Sequence, residues 1–480
     1  MSGSPEGIYE RGIVDPETPL SKYTFPYWHI LPHQHANHQS RWPNSIADVV
    51  IIGSGISGMT LARTLIGKNE KLNVVLIDAR QLCAGATGRN GGHIKTMTFA
   101  MWAERKKIFG LEEAIRISLF EDRHLEAMHT AMLEDGIDAD LVLTEGIEAY
   151  YEQKTFDQAV KALEEMRAYI PKLAAKHKVY KDQEYLKNEF KLSSRCVGAI
   201  GVPSASVWPY KWITGVLGYL IDTKKLNVQT NTIVTSILDD SSSQYATVCT
   251  NRGNIRARNV IHAGNAWMSH LIPELRPFVS PVRVNVVHFG ASSNDKDDQN
   301  TCVASRSPFH LSTKYSLWLR YGEKDYDYLI QRNDGGLVVG RACTGRKATS
   351  DDSTTDISPM QHLRGFAEEA LASVPAGSSS HIDHQWSGIV AFTQDGVPFA
   401  GRLPFSGYKH QWVCGAFHAT GMIKAFRTSQ AVAAMVLGDQ PTNDFPSSFL
   451  VTEERVRGLK RSLEVGGYPI HAHKTISASL

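Results

Sequence analysis

Gly53-Ser54-Gly55-Ile56-Ser57-Gly58 is a G-x-G-x-x-G lying between a short apolar run and a helical pattern. In that spacing Gly53 permits a tight turn, Gly55 lets backbone approach a pyrophosphate, and Gly58 lets helix and strand pack closely. A phosphate there meets unpaired N–H groups and roughly half a positive charge at the helix start. Alone, the pattern is weak, since a structural βα turn also uses glycines. Asp78 strengthens it. It ends the next apolar run twenty residues after Gly58, where a carboxylate accepts from a ribose hydroxyl and disfavours a 2′-phosphate.

A second glycine-dense stretch follows, Ala79-Arg80-Gln81-Leu82-Cys83-Ala84-Gly85-Ala86-Thr87-Gly88-Arg89-Asn90-Gly91-Gly92-His93. It suits backbone that closely approaches another flat ligand. A flexible surface loop is the alternative, and it fits poorly because hydrogen-bonding residues rather than lysine and glutamate separate the glycines. These residues point to a dinucleotide, NAD or FAD. His33, His35 and His38 lie close in sequence, but an extended arm packed on the surface by Tyr27 and Trp28 accounts for them, and no metal is assigned. The six cysteines form no CxxC pair, which argues against a clustered zinc site or a disulfide scaffold.

The elements that position these residues begin at Asp48. Asp48–Ile52 reads as a buried parallel strand, Met59–Ile66 as a helix closed by Gly67, and Leu72–Ile77 as a second strand, so the unit is βαβ. Long amphipathic helices are expected over Trp102–Met132 and Phe156–Lys178, with strands between them bent at Glu145-Gly146. Strand patterns then run over Val228–Ile237, Tyr245–Thr250, Asn259–His262, Val282–Phe289, Tyr315–Arg320, Tyr328–Arg332 and Gly336–Gly340. Residues 292–300 read as a polar surface insertion, and Met422–Leu437 as a helix stopped by Gly438. No internal repeat is present.

The chain has 480 residues, 51 basic against 49 acidic side chains and 42% hydrophobic residues. That is enough for a large core and too neutral to draw nucleic acid or anionic lipid. No apolar run approaches the ~20 residues of a membrane span, and the start shows no secretory pattern. A cytoplasmic enzyme with no nucleic-acid or membrane partner is expected.

Gly85–His93 resembles the signature of the D-amino-acid-oxidase-like FAD oxidoreductases, and the branch it is most similar to is the gamma-glutamylputrescine oxidase-like one. The resemblance continues in Thr232-Ile233-Val234, in His262 to Trp267 around Gly264, and in Pro281-Val282-Arg283. It extends through Gln385 to Gly388, Asp395-Gly396-Val397-Pro398, Gly421-Met422 and the Tyr27-Trp28 lead-in. It implies an α/β fold: a Rossmann-like FAD-binding domain of glutathione-reductase type with a mixed-sheet α+β substrate domain. The implied boundaries are an arm at 1–45, an FAD domain from 46–100, 195–285 and 385–445, a substrate domain from 101–194 and 286–384, and a tail at 446–480.

It also implies extended FAD. Adenine and ribose would lie at Asp78, Ala79, Arg80, Val234 and Gly264, and the diphosphate at Gly53, Ser54, Gly55, Ile56, Ser57 and Gly58. The flavin would lie along Thr87, Arg89, Asn90, Gly91, Gly92 and His93, with Asp395, Gly421 and Met422 around it.

The implied chemistry is hydride transfer from a C–H bond beside nitrogen to flavin N5, on a small amine or amino acid, with O2 or another electron acceptor. The catalytic candidates are His93, His288, Tyr328 and Arg341, with Gln331 and Lys424 behind them. His93 is read as a flavin contact or covalent tether, Arg341 as a carboxylate clamp against an ordinary ion pair, and Lys424 as solvated. Two departures stand out. Val338 occupies the register where the sarcosine-oxidase branch has a lysine, and Ala419-Thr420-Gly421-Met422 replaces Gly-His-Gly-Met. Both suit a specialised substrate in secondary metabolism. The rival readings are oxidation of an alcohol or 2-hydroxy acid, a flavin-fold isomerase or cyclase, and an NAD-binding scaffold.

Overall fold

Two large sheets and a two-stranded parallel one, Tyr9–Glu10 with Arg346–Lys347, hold the strands in the computed structural model, which describes residues 9–10, 13–97, 99–240, 242–291, 309, 311–322, 324–372 and 381–464. In the first sheet, Ala47–Ile52 is central and parallel to both Val74–Ile77 and Gly253–His262. Asn227–Gln229 extends one side and Gln411–Gly415 the other, both parallel. Phe399–Arg402 closes that edge in antiparallel fashion, while Ala246–Thr250 and Val234–Leu238 form a side ribbon. Strands buried on both faces must be apolar throughout, which is why 48–52 reads as an unbroken run. The helices Ile56–Lys68, Pro209–Asp222 and Ala425–Val436 pack beside one another against this sheet.

The second sheet is mixed, in the order Ile382–Thr393, Val279–Phe289, Leu337–Ala342, Tyr326–Gln331, Tyr315–Arg320, Val142–Tyr150, Gly198–Ser206, His93–Lys95. Only Tyr315–Arg320 and Val142–Tyr150 run parallel along that path. The fold is therefore α/β with a mixed-sheet second domain. Strand 198–206 pairs along its whole length with 142–150, and 279–289 pairs with 382–393. All three strands, with 142–150, belong to the second sheet, although the expected boundaries set 195–285 and 385–445 with the first. Pairing partners far apart in sequence decide this, and composition does not carry them.

Several element boundaries differ from expectation for local reasons. Gly110, at φ 81°, breaks the first long helix into Trp102–Phe109 and Leu111–Asp135. The second ends at Tyr169 because Pro171 lacks an N–H, and Lys178–Tyr180 is a strand. Gly67 does not stop its helix, which runs from Ile56 to Lys68. Val142–Tyr150 is one straight strand; a Cβ on Gly146 would sit 2.8 Å from Lys95, so this glycine marks crowding and not a bend. Asn231, at φ 50°, splits the 228–237 pattern in two.

The arm lies on the surface and is pinned by two buried aromatic side chains. Tyr27 and Trp28 are buried, and the Trp28 indole donates to the Asn90 carbonyl at 2.6 Å. The expected tail contains a helix, Glu453–Glu464, packed through Val456 and Leu459. The polar insertion at 292–300 and the last part of the tail lie outside the described residues. No helix among the described residues is long and apolar enough to cross a membrane.

Three histidines are sealed inside these layers. Burial, with the Arg89 charge, lowers His29 to about 3. Burial likewise lowers His124 and His262 to about 4 each, against hydrogen bonds that favour protonation. Each is neutral in the fold and protonates in the unfolded chain below about pH 6.5, so the unfolded state binds more protons and stability falls on acidification. Urea midpoints should therefore drop from about pH 6.5 toward about pH 4, with each histidine contributing up to about 1.4 kcal/mol per pH unit. His262→Gln should flatten the slope by one histidine's share, and a midpoint constant over this range would contradict the assignment.

Candidate active site

Two cavities join end to end between the sheets, with Ala86 and Asn265 lining both. The smaller, about 120 Å³, opens over the glycine turn and is bordered by Gly53, Ser54, Gly55, Asp78, Ala79, Arg80, Val234 and Gly264. The turn is built on close approach. Gly53 has φ 111°, and a Cβ there would lie 2.8 Å from the Ala263 carbonyl oxygen. A Cβ on Gly58 would lie 1.8 Å from the Gly53 carbonyl oxygen. Gly58 and Ser57 thus sit behind the turn, outside the cavity lining.

Asp78 accepts from the Ser54 N–H and the Arg80 N–H at 2.9 Å each, and from the Ser54 hydroxyl. Burial pushes its carboxyl pKa up and these bonds resist the shift. With about four lone-pair sites on a carboxylate, the three bonds leave room for one further donor. Arg80 departs from expectation. Its Nε donates to the Leu20 carbonyl at 2.8 Å and its two Nη atoms clamp Asp352 at 2.8 Å each, so its fork is closed to a nucleotide. The arm itself completes this cavity through Glu17, Thr18 and Pro19, anchored where Asp15 meets His270 and Arg276.

The larger cavity, about 300 Å³, runs on past Ile56, Thr87, Arg89, Asn90, Gly91 and His93 to Gly421 and Met422. Its floor is a self-braced loop. The Ile56 N–H donates to Thr87 Oγ1 at 3.0 Å, and the Gly92 N–H donates to Asn90 Oδ1 at 2.7 Å. Arg89 is fully buried, donating to the Ser387 and Thr24 carbonyls at 2.6 Å each, while its Nη1 has no partner. Burial lowers it to about 10. The far end is strained: Ala416, His418 and Ala419 all have φ between 50° and 56°, a conformation costly for non-glycine residues and common at functional sites.

The wall opposite the loop comes from the second sheet. Glu148, Trp318, Tyr328 and Gly340 are successive cross-strand neighbours. The Tyr328 ring occupies space that a Cβ on Gly340 or Gly91 would fill, at 2.2 and 2.4 Å. Burial raises its hydroxyl pKa. His93 meets Trp318 and Tyr328 edge-on, and neither ring nitrogen has a partner. Burial and the Lys95 charge lower it to about 3, so it is neutral. Glu148 holds Lys95 Nζ and Arg320 Nε at 2.6 Å each and is lowered to about 2 by those two charges against burial. Lys95 also lies 4.0 Å from the Trp318 ring centre.

Other expected residues lie elsewhere. His288 shares a strand face with Val284, which borders the cavity, but sits four residues further on. At about 3.3 Å per residue that is roughly 13 Å away. There it stacks on Tyr27 at 3.7 Å and bonds Asp383 at 2.6 Å. Asp395 is clamped by Arg455 at 2.9 and 3.0 Å, facing the C-terminal helix. Arg341 borders the cavity, yet strand alternation turns its guanidinium to Asp325 and Asp327 at 2.8 and 3.0 Å. Lys424 is buried, not solvated, 3.1 Å from Glu121, which also holds Arg105 at 2.6 Å. Val338 lies in the core, and Gln331 is outside both linings. The sequence reading passed over Glu17, Lys95, Glu148, Trp318, Arg320, Tyr326 and Arg346. Alternation of Trp318 with Arg320, and of Tyr326 with Tyr328, was the available signal, but it did not say which face meets a ligand.

A glycine turn that backbone alone can fill, a carboxylate beside it and a second cavity in line fit an extended FAD, and the unpartnered Arg89 Nη1 adds a donor beside the path. The model of the DAO family, FAD dependent oxidoreductases, matches residues 48–435. The chain is similar to a probable oxidoreductase, OrdL, of Rhizobium meliloti, at 26% identity over 78% of this chain and 82% of the relative. It is also similar to gamma-glutamylputrescine oxidoreductase of Escherichia coli, at 22% identity over 88% and 90% respectively. Among solved structures, glycine oxidase from Geobacillus kaustophilus superposes with TM-score 0.66 at 19% identity, covering 85% of this chain and 98% of that one.

Two glycine substitutions separate cofactor geometry from helix propensity. Gly58→Ala should yield protein without bound flavin colour, because its methyl has no space beside the Gly53 carbonyl. Gly67→Ala, on the same helix with nothing within 4 Å of its Cβ, should keep the flavin and gain about 0.5–1 kcal/mol of stability. Flavin absorbance and urea midpoints of both variants check this.

Proposed function

The chain belongs to the DAO family of FAD-dependent oxidoreductases, and on that premise we propose that it oxidises a C–N bond of an amine or amino acid. FAD, when bound, accepts the hydride from the carbon beside nitrogen. Gly53, Ser54, Gly55 and Ile56 would hold its diphosphate and Asp78 the ribose, with Ala79, Val234 and Gly264 beside the adenine. Thr87, Arg89, Asn90, Gly91 and His93 would line the flavin path toward Gly421 and Met422; Gly92 stands outside the lining, where a Cβ would lie 2.7 Å from the Val207 carbonyl oxygen.

One observation carries the reading: basic side chains outnumber acidic ones in the cavity lining, and the histidine facing the loop is held neutral. Lys95 and Arg320 face one carboxylate, Glu148, and Lys424 and Arg105 face one, Glu121, so each cluster keeps one excess positive charge. Like charge in a dry site disfavours an ammonium ion, so a bound amine gives up its proton and its lone pair can drive loss of hydride. Neutral His93, lowered to about 3, is a poor acceptor for an alcohol proton near neutrality. Tyr328, its pKa raised by burial, stays protonated and can donate to the substrate. The similarity to gamma-glutamylputrescine oxidoreductase and glycine oxidase supports the same class.

The test is anaerobic mixing of the holoenzyme with amines and amino acids, and with matched alcohols and 2-hydroxy acids. An amine or amino acid should bleach the flavin, at a rate that rises with pH and levels off below the substrate's own amine pKa. Lys95→Met, which removes one positive charge, should shift that pH profile upward by about one unit. Bleaching by alcohols alone, or product without bleaching, would overturn the proposal.

A further inference from the structure

One cluster of ligand-type side chains stands apart from both cavities. His288, Asp383 and His384 border neither of them. Among the described residues they are the one group of three such side chains whose ligand atoms all lie within 4.8 Å of one another. His288 Nδ1 is 2.6 Å from Asp383 Oδ1. His384 Nδ1 is 3.2 Å from the same oxygen, with no aligned hydrogen bond between them.

A β-bulge makes this convergence. Neighbouring residues of a regular strand point to opposite faces, which would part Asp383 from His384. The pairing of 279–289 with 382–393 shifts at this point. His288 faces His384 and Phe289 faces Ile382, which leaves Asp383 as the extra residue. A bulge re-aims the side chain it carries, and here the carboxylate comes to the side of both imidazoles. The Tyr27 ring covers one face, stacking on His288 at 3.7 Å and meeting His384 edge-on at 5.8 Å. Another side is open, since the Asp383 and His384 side chains keep 34% and 27% of their accessibility.

Zinc holds nitrogen and oxygen ligands about 2.0–2.2 Å away, which sets tetrahedral neighbours roughly 3.4 Å apart. The spacings in the cluster need only a small opening of the His288–Asp383 contact to match. His288 Nε2 has no partner, so the Nδ1 proton can pass to it and free a lone pair without breaking a bond there. Imidazole ligands favour zinc over calcium and magnesium, which take oxygen ligands.

We propose that His288, Asp383 and His384 form a Zn2+ site, with water completing the coordination on the open side. The ion clips the start of strand 382–393 to strand 279–289 beneath Tyr27. The next residue, Trp28, donates to the Asn90 carbonyl, so the clip also steadies the arm where it braces the floor of the central cavity. This site is independent of the amine reading.

Equilibrium dialysis of the holoenzyme against Zn2+, Ca2+ or Mg2+, followed by metal analysis, tests it. The protein should retain one Zn2+ per chain and neither of the other ions, and Zn2+ should raise its unfolding temperature by about 2–4 °C. Asp383→Asn and His384→Gln, both at partly exposed positions, should each weaken Zn2+ binding at least about tenfold and abolish the thermal shift, with the flavin spectrum unchanged. His35→Gln, in the other histidine cluster, should bind Zn2+ as the parent does. Should the two ligand variants fail to fold, labelling of the parent protein with diethyl pyrocarbonate carries the test: Zn2+ should protect His384 and leave His35 reactive. No retained Zn2+, undiminished binding in folded Asp383 and His384 variants, binding lost only with His35, or His384 left unprotected overturns the assignment.

Discussion

A buried knot of two arginines and one aspartate holds the site together. Arg80 clamps Asp352 with both Nη atoms, and Arg89 reaches within 3.8 Å of the same carboxylate. Thr24 closes the knot: its N–H donates to the Asp352 carbonyl, its carbonyl and hydroxyl accept from Arg89, and its hydroxyl also accepts from the Ser387 N–H. Four chain segments, around residues 24, 80–89, 352 and 387, meet there. Removing one member of such a buried pair costs about 3–5 kcal/mol, since the others would be left charged in a dry interior. The floor of the central cavity is the loop between these two arginines and His93. Its position is therefore set by residues of the arm and of the second sheet, and only in part by its own glycines.

The knot carries one positive charge more than its aspartate neutralises, and so do the clusters around Glu148 and Glu121. Three such centres surround one elongated space, and Arg346, with no carboxylate within ion-pair distance among the described residues, adds a fourth charge. Charges are screened little where water is excluded, so their fields add across the cavity. Burial and these charges together set the titratable groups facing the cavity. Glu148 is lowered to about 2 and His93 to about 3, while the Tyr328 hydroxyl is raised by burial. Each of these groups is fixed in one protonation state around neutrality. Fixed states of this kind suit a reaction driven by the bound molecule's own lone pair.

The parts of this design that a backbone must satisfy were legible in the sequence. The glycine turn at 53–58, the acid at 78 and the glycine-dense loop at 85–92 announce themselves because each requirement is local: a left-handed angle, a missing Cβ, a strand that ends. Side-chain partners were not legible. Arg80 looked available for a ribose until Asp352, far away in sequence, took its fork, and Asp395 looked like a flavin contact until Arg455 faced it. His288 lies on a cavity-facing strand, but Tyr27 from the arm stacks over it first. Nothing in a pattern of apolar and polar residues says which of two strand faces meets the ligand. For that reason Arg341, on a strand that borders the cavity, gave no sign in the sequence that its guanidinium turns to Asp325 and Asp327.

The departures from the family pattern acquire a physical meaning in this light. Val338, where a lysine stands in one branch, is buried in the main core cluster, and positive charge near the cavity comes from Lys95 on an edge strand and from Lys424 before the helix Ala425–Val436. Ala419 and Thr420 replace a Gly-His pair, and the backbone still adopts left-handed angles at Ala416, His418 and Ala419. Such strain persists only where surrounding contacts over-determine it: the His418 ring accepts from the Thr393 N–H at 3.1 Å, and the Phe417 N–H donates to Asn265 at 3.2 Å. The left-handed path at 416–419 is therefore fixed by contacts from 265 and 393 and stands without glycine at Ala416, His418 and Ala419.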